Sequence, residues 1–213
     1  MNNTENQAFN ALVSWNCDAD LNSTGMTVYW YFLSELYNLS FERIYYEHNL
    51  SGFILPFTTT IVYLAKNDPD SFWFNGNFTQ IARESFIREV TFLSKNIGKN
   101  VSDWEWKNVH VLEIYSQTGI QSLSIGPIPF YGDDHTISVG SAPYDLKIPL
   151  TVTVSSSLRF IACPGNSTFY GIFPGGPSEN ILSAYFSNQL EMWYDHKYYN
   201  LENYRVVAVM NYE

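Results

Sequence analysis

Asp133, Asp134 and His135 stand side by side, and carboxylates next to an imidazole are the groups from which metal sites and proton relays are made. Neighbouring residues of an extended segment point to opposite faces, so only Asp133 and His135 are placed to converge. A turn leading into a strand accounts for the same three residues and is the preferred reading. His110 follows Trp104 and Trp106, where it reads as a hydrogen-bonded structural histidine beside an aromatic pack rather than a buried base. His48 and His196 lie among polar residues at no informative spacing. A serine–histidine–aspartate set can be assembled from many chains, and no Gly-x-Ser-x-Gly turn singles out a nucleophile here. Gly175-Gly176 could present free N–H groups to an anion at a helix start, but a turn requiring positive φ explains the pair without a ligand. Arg159, in an otherwise apolar run, is the candidate for a buried ion pair serving structure. No residue is assigned a catalytic, cofactor-binding or metal-binding role, and no cofactor is expected.

The elements that would position these side chains are read from periodicity. Met26, Tyr29, Trp30, Leu33, Leu36 and Tyr37 recur at helical spacing behind Ser23 or Thr24 as a cap. In the mixed stretch Ser40 to Leu64, Pro56 breaks the pattern, and Thr58 to Val62 fits either a strand or a helix; it is taken as weakly helical. Ala82, Phe86, Val90, Leu93 and Ile97 predict a helix ended by Gly98. From Gly126 onward, Gly/Pro turns separate short apolar runs, which predict strands at His135 to Val139, Leu150 to Val154, Leu158 to Cys163 and Thr168 to Phe173. A closing helix starting at Ser178 or Ser183 would align Leu182, Phe186, Gln189, Leu190 and Trp193, and Arg205 to Met210 reads as a last strand. The order is α+β: residues 1–125 mainly helical, residues 126–213 β-rich with a closing helix, both portions of one larger fold.

Composition narrows the function classes. A chain of 213 residues with 17% aromatic residues can bury a sizeable core. Its formal charge of −10 and its lack of any Lys/Arg cluster exclude nucleic acid as an expected partner. No apolar stretch is long enough for a membrane span. Charged residues are only 15%, against roughly 25% in ordinary domains, which suggests tolerance of an acidic medium. Sequons at Asn2, Asn22, Asn38, Asn49, Asn77, Asn100 and Asn166 reflect either compositional bias or an exported glycoprotein. The opening Met1-Asn-Asn-Thr-Glu-Asn-Gln7 lacks the basic and apolar regions of a secretory signal. The expected location is extracellular or at the cell surface, otherwise cytoplasmic. Cys17 and Cys163 permit one disulfide without implying it.

The segment Phe173-Pro-Gly-Gly-Pro-Ser-Glu-Asn-Ile-Leu-Ser-Ala-Tyr-Phe-Ser-Asn-Gln-Leu-Glu-Met-Trp193 resembles the C-terminal signature of the penicillin acylase family. Three further blocks follow the family's order. Leu12-Val-Ser-Trp15 with Asp18, Asp20 and Ser23 resembles its lead into a long helix. Trp104-Glu-Trp106 with His110 resembles its Trp-x-Trp-Gly-x-x-His element, with Lys107 at the glycine position. Gly126-Pro-Ile-Pro129 and Gly132-Asp133-Asp134-His135-Thr136-Ile-Ser138 resemble its Gly-Pro turn and Gly-Asp-x-x-Thr-Val-Asn segment, with Ser138 replacing the asparagine. Other departures are Pro177-Ser178-Glu179 for Gln-Ser-Gly, Tyr185-Phe186 for His-Tyr, and Ala162 for an acid.

The resemblance implies part of an αββα sandwich of the N-terminal-nucleophile hydrolases and hydrolysis of linear amides, β-lactam or acyl-homoserine lactone side chains. It also implies that the nucleophile, the oxyanion groups and a calcium site belong to a portion upstream of the matched region. The chain is then expected to be a C-terminal fragment or split subunit, inactive alone, with the nucleophile-bearing portion as its partner. The alternative is a non-catalytic glycosylated surface or binding protein derived from the same fold.

Overall fold

The computed structural model describes residues 1–50, 56–116, 118–165, 168–178 and 180–201. The chain divides into two compact units, Met1–Ser155 and Ser156–Glu213, so the change of character at Gly126 falls inside the first.

The first unit opens with α1 (Asn3–Val13), a helix that periodicity did not indicate. Its signal was a capping box: Asn2 Oδ1 accepts from Glu5 N at 2.9 Å, and the Glu5 carboxylate accepts from Asn2 N at 2.9 Å. α2 (Thr24–Tyr37) is the expected long helix, and Ser23 is its cap, accepting from Met26 N at 3.1 Å. Its sequence suggests one apolar face, yet Thr27, Ser34 and Glu35 are buried along with Met26, Trp30 and Leu33. The extra burial comes from α1 and from α5 (Phe78–Asn96), both of which pack against α2.

α2 runs through a π-helical turn, Asn38–Glu42, into α3 (Arg43–Glu47). The ambiguous Thr58 to Val62 stretch is helical, part of α4 (Thr58–Asn67), where Ile61 packs into a cluster with Leu33, Leu36, Phe41 and Phe74. α5 starts at Asn77, whose side chain accepts from Gln80 N at 3.1 Å, and buries the expected Val90 and Leu93; Gly98 follows its end with φ +138°.

β1 (His110–Ile114) lies at the centre of a small sheet, antiparallel to β2 (Ile125–Pro129) and parallel to β4 (Leu150–Thr151). β3 (Gly140–Ser141) and β5 (Val154–Ser155) form a separate antiparallel pair, so the expected Leu150 to Val154 strand is split between two sheets. β1 was not anticipated.

The strand expected at His135 to Val139 is a turn. Asp133 Oδ1 accepts from His135 N at 2.9 Å, and Thr136 Oγ1 accepts from Asp133 N at 3.0 Å. Local side chains thereby take backbone groups that a ladder would need.

In the second unit β6 (Arg159–Cys163), β7 (Thr168–Ile172) and β8 (Tyr199–Asn200) form an antiparallel sheet in that order. The first two strands lie where the apolar runs placed them. The long closing helix does not form: only α6 (Leu190–Tyr194) is helical. Upstream, Ser178 Oγ accepts from Asn180 N, Asn180 Oδ1 from Leu182 N, and Ser183 Oγ from Tyr185 N, at 3.0 to 3.2 Å. These short side-chain turns compete with helix, and they leave Leu182 on the surface while Trp193 is buried. The expected strand at Arg205 to Met210 lies outside the described residues. The class is α+β, with helices and several small sheets. Among the described residues no helix is long and apolar enough to cross a membrane.

Candidate functional site

A short 3-10 turn, Trp106–Asn108, delivers Trp106 and then His110 to the start of β1. The two rings stack, with centroids 4.3 Å apart and planes within 18°. His110 Nδ1 lies 2.7 Å from the Phe130 carbonyl oxygen, so that nitrogen carries the proton and donates it. Trp106 Nε1 donates to the Gly132 carbonyl at 3.2 Å. Burial pushes the His110 pKa down to about 4, the Phe130 carbonyl offsetting this only in part, and the imidazole is neutral near pH 7. The side chain is fully buried and out of a substrate's reach. His110 is the structural histidine that its aromatic neighbours suggested.

Gly132 opens the acidic turn with φ +81°, and a Cβ there would run into the Ser138 carbonyl oxygen. The turn borders a cleft of about 630 Å³ whose walls include Tyr37, Glu42, Phe57, Thr58, Asp134, His135 and Tyr144. His135 Nε2 comes within 3.4 Å of Thr58 Oγ1, which juxtaposes an imidazole and an alcohol. Tyr144 stacks on Trp30 at 4.4 Å and on Tyr37 at 5.8 Å, and burial, then Asp134, holds its hydroxyl protonated.

A relay needs a carboxylate on the imidazole, and Asp133 is placed otherwise: it binds the backbone N–H of His135, not the ring. The two residues do converge, to close a turn. Among the described residues no group of three or more His, Cys, Asp or Glu side chains is arranged to hold a metal ion. Thr58, Glu42 and Tyr144 were not singled out in the sequence, because nothing periodic links residues so far apart.

The other candidates serve local structure. His48 ends α3, its N–H donating to the Ile44 carbonyl at 3.0 Å, and His196 follows α6 with φ +56°. Cys17 and Cys163 are exposed free thiols. Gly175 adopts φ +100°, its carbonyl accepts from Gln189 N at 2.8 Å, and a Cβ on Gly176 would collide with the Tyr185 carbonyl. Ser178 N donates back to that same carbonyl at 3.3 Å, so the Pro-Gly-Gly segment is a closed turn and not an anion cradle.

Arg159 is buried as expected. Nη2 donates to the Trp193 carbonyl, and the guanidinium lies 5.1 Å from the Trp193 ring centroid and 5.8 Å from that of Tyr198.

Residues 1–205 match the family described as Penicillin amidase. The chain belongs to the penicillin amidase family. No curated protein matches it significantly. The α+β arrangement is consistent with the penicillin amidase fold, and membership supports amidohydrolase-type chemistry as the family activity. The resembling positions of this penicillin amidase chain act as packing anchors. Trp104 and Trp106 are fully buried, and Trp15 lies against Gly25, where a Cβ would enter its side chain.

Proposed function

We propose that the chain is the C-terminal part of the β-chain of a penicillin-amidase-type amidohydrolase that cleaves linear amides. The substrate class is the acylated amine of a β-lactam nucleus or an acyl-homoserine lactone. The reacting groups are contributed by another portion of the enzyme. There the α-amino group of an N-terminal serine serves as base for its own hydroxyl, and an asparagine side chain with a backbone N–H holds the oxyanion. This chain supplies scaffold: the α2 helical core, the β1 sheet and the Pro174-Gly-Gly176 turn.

The observation that supports the reading is how the family-pattern residues are used. His110 is sealed under Trp106, Asp133 closes a turn, Gly175-Gly176 close another, and Arg159 binds a backbone carbonyl. The cleft at His135 and Thr58 has the ingredients of a nucleophile–base pair, and among the described residues no carboxylate is hydrogen-bonded to the His135 ring.

A chromogenic phenylacetyl-amide assay tests this. The chain alone should give no turnover above buffer, and turnover should appear when a nucleophile-bearing portion of a family amidase is supplied. Robust hydrolysis by the chain alone, lost on Thr58→Ala or His135→Ala, would place the chemistry in the cleft and overturn the proposal.

A further inference from the structure

α1, α2 and α5 leave a cleft of about 430 Å³ between them, away from the Asp134–His135 turn. That volume is within the roughly 300–1,000 Å³ typical of small-molecule sites. Phe9 and Leu12 of α1, Phe32 of α2, and Phe86 and Ile87 of α5 supply its walls. Phe9 and Phe86 meet edge to face with centroids 6.2 Å apart, yet Phe9 remains 47% and Ile87 39% exposed. Apolar surface of this kind, gathered from three helices into one concavity, favours an apolar occupant.

Two charged side chains lie at the cleft, and only one has its charge in use. Glu5 is committed to the start of α1: it accepts from Asn2 N and Asn2 Nδ2 at 2.9 and 2.8 Å and faces the terminal amino group at 3.8 Å. Arg83 has no hydrogen bond or ion pair among the described residues. Its helical neighbours explain why: Thr79, Gln80, Phe86 and Ile87 occupy the positions three and four away. Arg88, one turn along, has Glu84 four residues before it and pairs with it at 2.5 Å. Arg83 therefore offers an uncommitted guanidinium fork beside an apolar hollow, complementary to a planar carboxylate on an apolar tail.

We propose that this cleft binds a medium-chain fatty acid, with the alkyl chain among Phe9, Phe32 and Phe86 and the carboxylate on Arg83. The site shares no residue with the Asp134–His135 cleft. Sodium decanoate, titrated calorimetrically into the full chain below its micelle-forming concentration, should bind saturably at one site. Arg83→Gln should weaken decanoate about fivefold, as expected for a partly exposed charged pair, and leave the uncharged analogue decanol unchanged. Ala82→Phe, which fills the hollow from the α5 wall, should remove both ligands. Arg83 is exposed, so the Gln variant tests the site even if Ala82→Phe misfolds. Decanoate binding that is absent, non-saturable or equal in the parent and Arg83→Gln proteins overturns the proposal.

Discussion

Glu89 is fully buried on α5, against α2, where among the described residues only the backbone N–H of Val90 favours its charged form. Burial raises its pKa well above 4.5, and the Glu35 carboxylate, on α2, raises it further. The folded chain therefore favours the protonated acid. Its contribution to stability is complete below the unfolded pKa and is lost as pH rises toward the folded one. The loss is about 1.4 kcal/mol per pH unit over that span. By pH 7 the accumulated loss has a ceiling of about 3 kcal/mol, set by the distance from the unfolded value.

His110 acts in the opposite sense. Its folded pKa is lowered from 6.5 to about 4 by burial, so its contribution is complete above pH 6.5 and is lost as pH falls through the folded value. The full loss is again about 3 kcal/mol. Between pH 6.5 and 4.5 the two slopes oppose each other. Glu89→Gln removes one slope. At pH 7.5 the variant should melt higher than the parent by up to roughly 5–10 °C, the two should coincide near pH 4.5, and the variant alone should lose stability steadily from pH 6.5 to 4.5. Thermal unfolding followed by circular dichroism across that range measures this. A variant no more stable than the parent at pH 7.5, with an unchanged pH slope, would refute the reasoning.

Gly25→Ala should destabilise the first unit by about 1–3 kcal/mol, because the added Cβ would meet the Trp15 side chain; urea unfolding reads the loss, and an unchanged midpoint would mean that Trp15 can move aside. Asn77→Ala removes the cap of α5 and should cost about 1 kcal/mol, whereas Asn77→Asp should retain most of it in the same titration. Arg159→Gln should cost about 2 kcal/mol and expose Trp193 to iodide quenching, with no increase in quenching if the guanidinium contacts are dispensable.

Local signals in the chain were legible where one short stretch contained both the element and its cap. Ser23 with α2, the apolar ladder of α5 with Gly98, and the β6 and β7 runs all appear where spacing placed them. The capping box at Asn2 and Glu5 is equally local and marks the start of α1. Elsewhere side chains diverted the backbone. Thr136 and Asp133 fold the His135 run into a turn, and Ser178, Asn180 and Ser183 break up the closing helix. The cleft joins Thr58 to Asp134, His135 and Tyr144 across a sequence gap that no pattern bridges.

The sequence by itself determined the family, because the match over residues 1–205 is a linear property that survives without coordinates. It also determined α2, α5 and the first two strands of the second unit, because caps and hydrophobic period act over a few residues. Tertiary structure alone decided what those residues do. Whether His110 is a base or a packed ring depends on Trp106 and Phe130 closing over it, and whether Asp133 serves an imidazole or a turn depends on an angle and a distance. Protonation follows the same division: a glutamate is ordinary in a sequence, and Glu89 becomes a neutral core acid only when α2 and α5 shut water out.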